Sequence, residues 1–225
     1  MIEIKNLSKS FGKNEVLNNL NLSFEKGKVY GIVGENGAGK TTFFKCLAGL
    51  ESFQGEITCE YEIMKEKLGF LQTESFFFSK ITGREYLQLL CTARKVENLD
   101  FDDKNIFDLP LDQYAVTYST GMKKKLALTS ILLQKNELFI LDEPFNGVDI
   151  QSNMIITAII HELKRLNKTV IISSHIFSTL NDNCDEILVL KKGEITKKIK
   201  KEDFTNLENE MKEFSITNKI ERLNL

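Results

Sequence analysis

Cysteine is scarce in this 225-residue chain: Cys46, Cys59, Cys91 and Cys184 stand far apart with no C-x-x-C pair. That spacing suggests neither a zinc site nor a disulfide framework, so they read as reduced cytosolic thiols. Long apolar runs are missing too. No uncharged stretch approaches the about 18 residues a membrane span needs, and the start, MIEIKNLSKSF, has no apolar core of the kind a secretion signal carries. Nothing here is expected to cross a membrane by itself. Nor is there an excess of positive charge. A formal net charge of -2 and a pI near 5.9 leave no basic field, which argues against nucleic acid as the main partner. Internal repeats and low-complexity linkers are absent as well. What remains is a well-mixed composition, 42% hydrophobic, able to bury one sizeable core or two small ones. One domain with a subdomain is the expectation.

The chain opens β-rich, with MIEIKNL and LNNLNLSF alternating as half-buried strands do and GKNEV between them as a turn. Three short runs then stand out: VYGIVG at 29–34, LFILDE at 138–143 and TVIISSH at 169–175. They are apolar at consecutive rather than alternate positions, the pattern of strands covered on both faces in a parallel sheet flanked by helices. Helices are expected from about Lys40 to Leu50, Gly83 to Arg94, Thr120 to Gln134, Ile150 to Leu166 and Ile176 to Asn183. From Lys191 onward the sequence predicts two short strands around KKGE, then a charged helix and a tail. Residues 95–117 are irregular and polar enough to hide a boundary.

Each of the three runs ends in a different chemistry. The first leads into GENGAGKTT, which places Gly34, Gly39, Lys40 and Thr41 in the pattern G-x-x-x-x-G-K-[ST]. Glycines let successive backbone N–H groups turn toward one anion, Lys40 can reach β and γ phosphates, and Thr41 offers a hydroxyl to magnesium. The helix that follows adds its positive end. The second run ends in Asp142 and Glu143: one carboxylate suited to hold magnesium, the other to orient or deprotonate an attacking water. Pro144 is expected to keep Glu143 extended and on the strand. The third ends in His175. Ligands of open α/β sheets bind outside the carboxyl ends of the strands, so the three endings converge on one candidate site.

In their order and spacing these motifs resemble the nucleotide-binding subunits of ATP-binding cassette transporters, and the resemblance spans about Ile2 to Gly193. It implies an α/β P-loop NTPase fold with a mainly parallel central sheet, an N-terminal antiparallel β-subdomain and a small, shortened helical subdomain. Residues 1–225 would form one such domain, with the helical subdomain inserted at about 73–135 and C-terminal strands, helix and tail at about 191–225. By resemblance, Gly34, Glu35, Asn36, Gly37, Ala38, Gly39, Lys40, Thr41 and Thr42 cradle the ATP phosphates and Phe11 stacks on adenine. Gln72, in LGFLQTE, contacts magnesium and water together with Thr41 and Asp142. Glu143 and His175 are the catalytic pair, and Asp149 belongs to a dimer-contact loop. The signature is YSTGM, where Ser119 and Gly121 would act on ATP held by a second subunit. Met122 stands where relatives usually carry glutamine, and the YS-x-GM form resembles the exporter branch.

The implied cofactors are ATP and Mg2+. The implied partners are a second cassette subunit and a separate transmembrane permease, with this chain cytoplasmic and peripheral on the inner face of the membrane. A soluble relative that remodels a cytosolic complex, or a nucleotide switch without turnover, are the alternative readings. One local contradiction is left over. Lys123, Lys124 and Lys125 crowd the first turn of the signature helix, where each is unfavourable by a few tenths of a kcal/mol beside the positive end of the helix. On the family pattern they would face the triphosphate of the partner; otherwise their stems would extend into solvent.

Overall fold

Alternation of buried and exposed residues carries the first strands, β1 (Ile2–Phe11) and β2 (Asn14–Phe24), which pair antiparallel across Gly12 and Lys13. The computed structural model describes residues 1–175 and 177–205. Next come β3 (Val29–Val33) and α1 (Lys40–Leu47), then β4 (Gln54–Cys59), which pairs antiparallel with the free side of β1. This makes a three-stranded sheet in the order β2-β1-β4. Helix α1 is shorter than its apolar spacing suggests, because Gly49 turns the chain with φ +66°.

Among the described residues the second sheet has six strands. After β5 (Leu68–Leu71) and α2 (Gly83–Ala93) come α3 (Thr120–Leu133), β6 (Leu138–Asp142), α4 (Ile150–Arg165), β7 (Thr169–Ser173), α5 (Phe177–Asn183), β8 (Glu186–Lys191) and β9 (Glu194–Lys200). The order is β5-β6-β7-β3-β8-β9, parallel throughout except for β9 on its edge. The three apolar runs are therefore neighbours, β6-β7-β3. Their register sets Asp142 beside Ser173 and Ser173 beside Ile32, so their carboxyl ends open on one edge.

Both faces of this sheet are covered, which explains the consecutive apolar residues. Successive side chains point to opposite faces. Val29, Val33, Phe139, Leu141, Val170 and Ile172 pack on one side with residues of α2, α3, α4 and α5. Tyr30, Ile32, Leu138, Ile140 and Ile171 pack on the other, against Phe43, Phe44 and Leu47 of α1 and against Ile2, Leu17 and Phe24 of the antiparallel sheet. The irregular segment 95–117 is no boundary. Phe101, Phe107, Leu109 and Leu111 are buried in the first of these cores, and Arg84 of α2 ties the segment down through Asp102 and Asp112 at 2.8–3.0 Å. The charged helix and tail expected after β9 fall mostly on residues 206–225, outside the described residues.

Candidate active site

The loop between β3 and α1 is shaped by its glycines. Gly37 has φ +82° and Gly39, which caps α1, has φ +108°, conformations that side chains with a Cβ rarely adopt. Gly34 is fixed by crowding instead, since a Cβ there would sit 2.4 Å from the carbonyl oxygen of Leu190 on β8. Lys40 arches back over the loop and donates from Nζ to the carbonyls of Gly34 (2.7 Å) and Glu35 (3.3 Å). Its ammonium therefore stands at the loop mouth with its stem buried.

Asp142, at the end of β6, is 1% exposed and accepts three hydroxyl hydrogen bonds. Thr41 and Thr73 each donate to Oδ2 at 2.7 Å, and Ser173 donates to Oδ1 at 2.5 Å. A buried carboxylate so furnished stays fixed in orientation. Glu143 follows, and its backbone departs from expectation. It is not extended on the strand but left-handed, with φ +51°, because the chain leaves β6 in a tight turn over 143–147. Ser173 Oγ accepts the Glu143 N–H at 2.9 Å, so one serine serves both acidic residues. The Glu143 carboxylate is 2.9 Å from Nδ1 of His175. An ionised carboxylate can only accept, so in that state Nδ1 carries the proton.

These groups share one cleft of about 750 Å³, lined by Glu35, Asn36, Gly37, Gly39, Lys40, Thr41 and Thr42 of the loop together with Asp142, Glu143 and His175. Val16, Thr73 and Asn146 complete the lining and were not singled out from the sequence. Gly34 and Ala38 back the loop rather than line the cleft: Ala38 is 7% exposed, packed in the core beneath α1. Gln72, Phe11, Ser119, Gly121 and Asp149 also lie outside the lining. Phe11 is not a core residue. Its ring is 48% exposed at the tip of the β1-β2 hairpin, with Lys9 Nζ 4.6 Å from its centroid. Ser119 caps α3, accepting from Met122 N–H at 3.2 Å, and Asp149 caps α4, accepting from Ser152 N–H at 2.8 Å. That backbone hydrogen bond, with Ser152 Oγ and Lys125 adding to it, holds the Asp149 carboxyl well below the usual range.

Two of the three lysines, Lys124 and Lys125, find acceptors within their own chain. Lys124 is 5% exposed and donates to the carbonyls of Glu143 and Asn146, both at 2.6 Å. Lys125 reaches Asp149 Oδ2 at 3.3 Å. Their charges turn away from the positive helix end toward the 143–149 loop of the same chain, which supplies the acceptors.

The ABC transporter family model matches residues 17–146, more than half of the 225-residue chain. The chain belongs to the ABC transporter family. This cassette is an ATPase. It is 30% identical to the bacitracin transport ATP-binding protein BcrA of Enterococcus faecalis, over 96% of this chain and 75% of that protein. It is 33% identical to the lantibiotic transport ATP-binding protein SrtF of Streptococcus pyogenes, over 92% and 94%. Among solved structures, an ATP-binding subunit of an ABC transporter superposes with a TM-score of 0.82 at 23% identity, covering 93% of each chain. A dimeric post-hydrolysis state of the cassette MJ0796 bound to ADP and Pi gives 0.80 at 20% identity, covering 89% and 98%. At these identities the likeness speaks for the fold: a P-loop NTPase with a mainly parallel sheet and an antiparallel β-subdomain.

Proposed function

We propose that this cassette is a magnesium-dependent ATPase that pairs with a second cassette subunit around two ATP molecules and drives export through a separate transmembrane permease. One observation carries the catalytic half of this reading. A phosphate loop with Lys40 at its mouth, a buried Asp142 hydrogen-bonded to Thr41, and a Glu143–His175 pair meet in one cleft. The transport half rests on family membership, on relatives named for bacitracin transport and lantibiotic transport, and on the exporter-like YSTGM signature. Among the described residues no helix is long and apolar enough to cross a membrane.

In this reading the backbone amides of 35–39, the ammonium of Lys40 and the hydroxyl of Thr42 hold the phosphates. Phe11 stacks on adenine. The donor set suits magnesium: a carboxylate and hydroxyls are hard oxygen ligands, and Thr41 can keep donating to Asp142 while its lone pairs face the ion. Thr41, Asp142 and Gln72 would hold the ion, which when bound would neutralise charge developing on the β and γ phosphates. Glu143 takes the proton of the attacking water as its oxygen bonds to the γ-phosphorus; the bond to the β-γ bridging oxygen breaks, giving ADP and phosphate. His175 steadies Glu143 and the γ-phosphate. Ser119, Gly121 and Asp149 lie outside the cleft of their own chain and act on the ATP of the partner, the helical region at about 73–135 presenting the signature.

Glu143→Gln tests the assignment. A positioned general base is worth roughly 10²–10⁴ in rate and little in ground-state affinity. The variant should bind ATP as wild type does, lose about 100-fold or more in phosphate release, and accumulate as an ATP-bound dimer in size-exclusion chromatography. Wild-type turnover would refute Glu143 as the base.

A further inference from the structure

Glu143 is held in a left-handed conformation, φ +51°, that a non-glycine residue keeps only where its surroundings fix it. Both of its backbone polar groups are fixed by side chains from other elements. Ser173 on β7 accepts its N–H at 2.9 Å, and Lys124 on α3 donates to its carbonyl at 2.6 Å. The same ammonium donates to the carbonyl of Asn146 at 2.6 Å, so one side chain spans both ends of the 143–146 turn. Leaving a lysine 5% exposed is expensive unless its ammonium is hydrogen-bonded. Two main-chain carbonyls are what the buried charge is satisfied by.

Two neighbours of Lys124 make the contact more than local. A Cβ on Gly121 would lie 2.7 Å from the carbonyl oxygen of Gly147, and Lys125 reaches Asp149. The first turn of α3 is thus seated along the whole 143–149 loop. A shift of the signature helix must either carry that loop with it or break these contacts.

We infer that Lys124 is a positioning residue for the proposed catalytic Glu143: by clamping the turn that follows β6 it aims the carboxylate at His175 and the cleft, and ties that aim to the placement of α3. The inference rests on the reading of Glu143 as the general base. It makes no demand on ATP affinity, since Lys124 does not line the cleft. A misplacement of about 1 Å at a reacting group can cost up to about 100-fold.

The test is a double-mutant cycle on the full chain. Lys124→Met keeps the stem and removes the donors; Lys124→Gln, which retains an amide donor on a shorter stem, is measured beside it in case the methionine variant fails to fold. Expected is a fall in kcat of about 10- to 100-fold, with the dissociation constant of fluorescent ATP in the absence of turnover within about twofold of wild type. In the Glu143→Gln background the same change should alter the residual rate less than about twofold, because a residue acting through Glu143 has nothing left to position. A folded Lys124 variant with wild-type kcat overturns the inference, as does an equal loss in both backgrounds or a parallel loss of ATP affinity. Wild-type turnover in Glu143→Gln alone would instead refute the general-base reading, so the two failures are told apart.

Discussion

Lys40 shows how much a motif predicts and what it leaves out. Its place in GENGAGKTT assigns it to phosphates, but its contacts with the Gly34 and Glu35 carbonyls explain how a lysine 7% exposed is held at the loop mouth. Removing it leaves the anion cradle without its point charge. In Lys40→Ala the rise in melting temperature that ATP gives the wild type should vanish, a loss of about 3–4 kcal/mol when ATP stands at 100–1,000 times its dissociation constant. A dye-monitored melt with and without ATP checks this, and an undiminished shift would contradict it. Residues with a fixed spacing to Lys40, or at the end of an apolar run, were legible. Thr73 and Ser173 were not, nor were the acceptors of Lys124, because what distinguishes these residues is a partner 69, 31 or 19 positions away.

At the scale of elements, FFFSK between β5 and α2 raises a packing problem visible in the sequence: three adjacent aromatic rings cannot all face one core. The structure divides them. Phe77 is 9% exposed with its ring 4.7 Å from that of Tyr86 on α2, whereas Phe76 and Phe78 are 73% and 55% exposed and pack edge-on against each other at 5.1 Å. An exposed aromatic pair is a candidate anchor for the permease subunit proposed above. Phe77→Ala should cost about 3 kcal/mol of stability. Phe76→Ala and Phe78→Ala should each cost under about 1 kcal/mol, keep basal ATP hydrolysis, and weaken capture of the permease by about 2 kcal/mol if the ring is a hot spot. Melts, phosphate release and pull-down on the same three proteins decide; loss of capture only in Phe77→Ala would remove the exposed pair from the interface. Which ring turns inward was not legible, since it depends on where Tyr86 stands.

Across the whole molecule, the cysteines report how completely the two cores close. Burial pushes the Cys46 thiol up to about 11 and raises Cys91 and Cys184 as well, while Cys59 is only partly buried, with its thiol 3.3 Å from the Tyr61 carbonyl. Thiolate is the reactive form, so a raised pKa and a closed core both slow reaction. Thiol titration of the native protein near pH 8 should show one fast group, Cys59, with the other three appearing on denaturation. Replacing Cys59 by Ser should abolish the fast phase. More than one fast thiol in the native protein would mean that a core opens readily.

Local pattern settled the architecture of this cassette, because strand burial and phosphate binding are written in short stretches of chain. Runs apolar at every position specify strands covered on both faces, and the glycine-rich pattern after the first of them specifies the left-handed turns found at Gly37 and Gly39. The sequence also placed Asp142, Glu143 and His175 at strand ends, and hence at one edge of a parallel sheet. It did not disclose β4 or β5, whose strands of 6 and 4 residues are too short for their pattern to separate from loop. Nor did it disclose the backbone of Glu143: the preference of a residue before proline for extended geometry is overruled by the tight turn, with Ser173 and Lys124 holding both of its polar groups. Two of the lysines that looked misplaced on an isolated helix, Lys124 and Lys125, were decided in the same way, by acceptors on the 143–149 loop that only the folded chain brings to the N-terminus of α3.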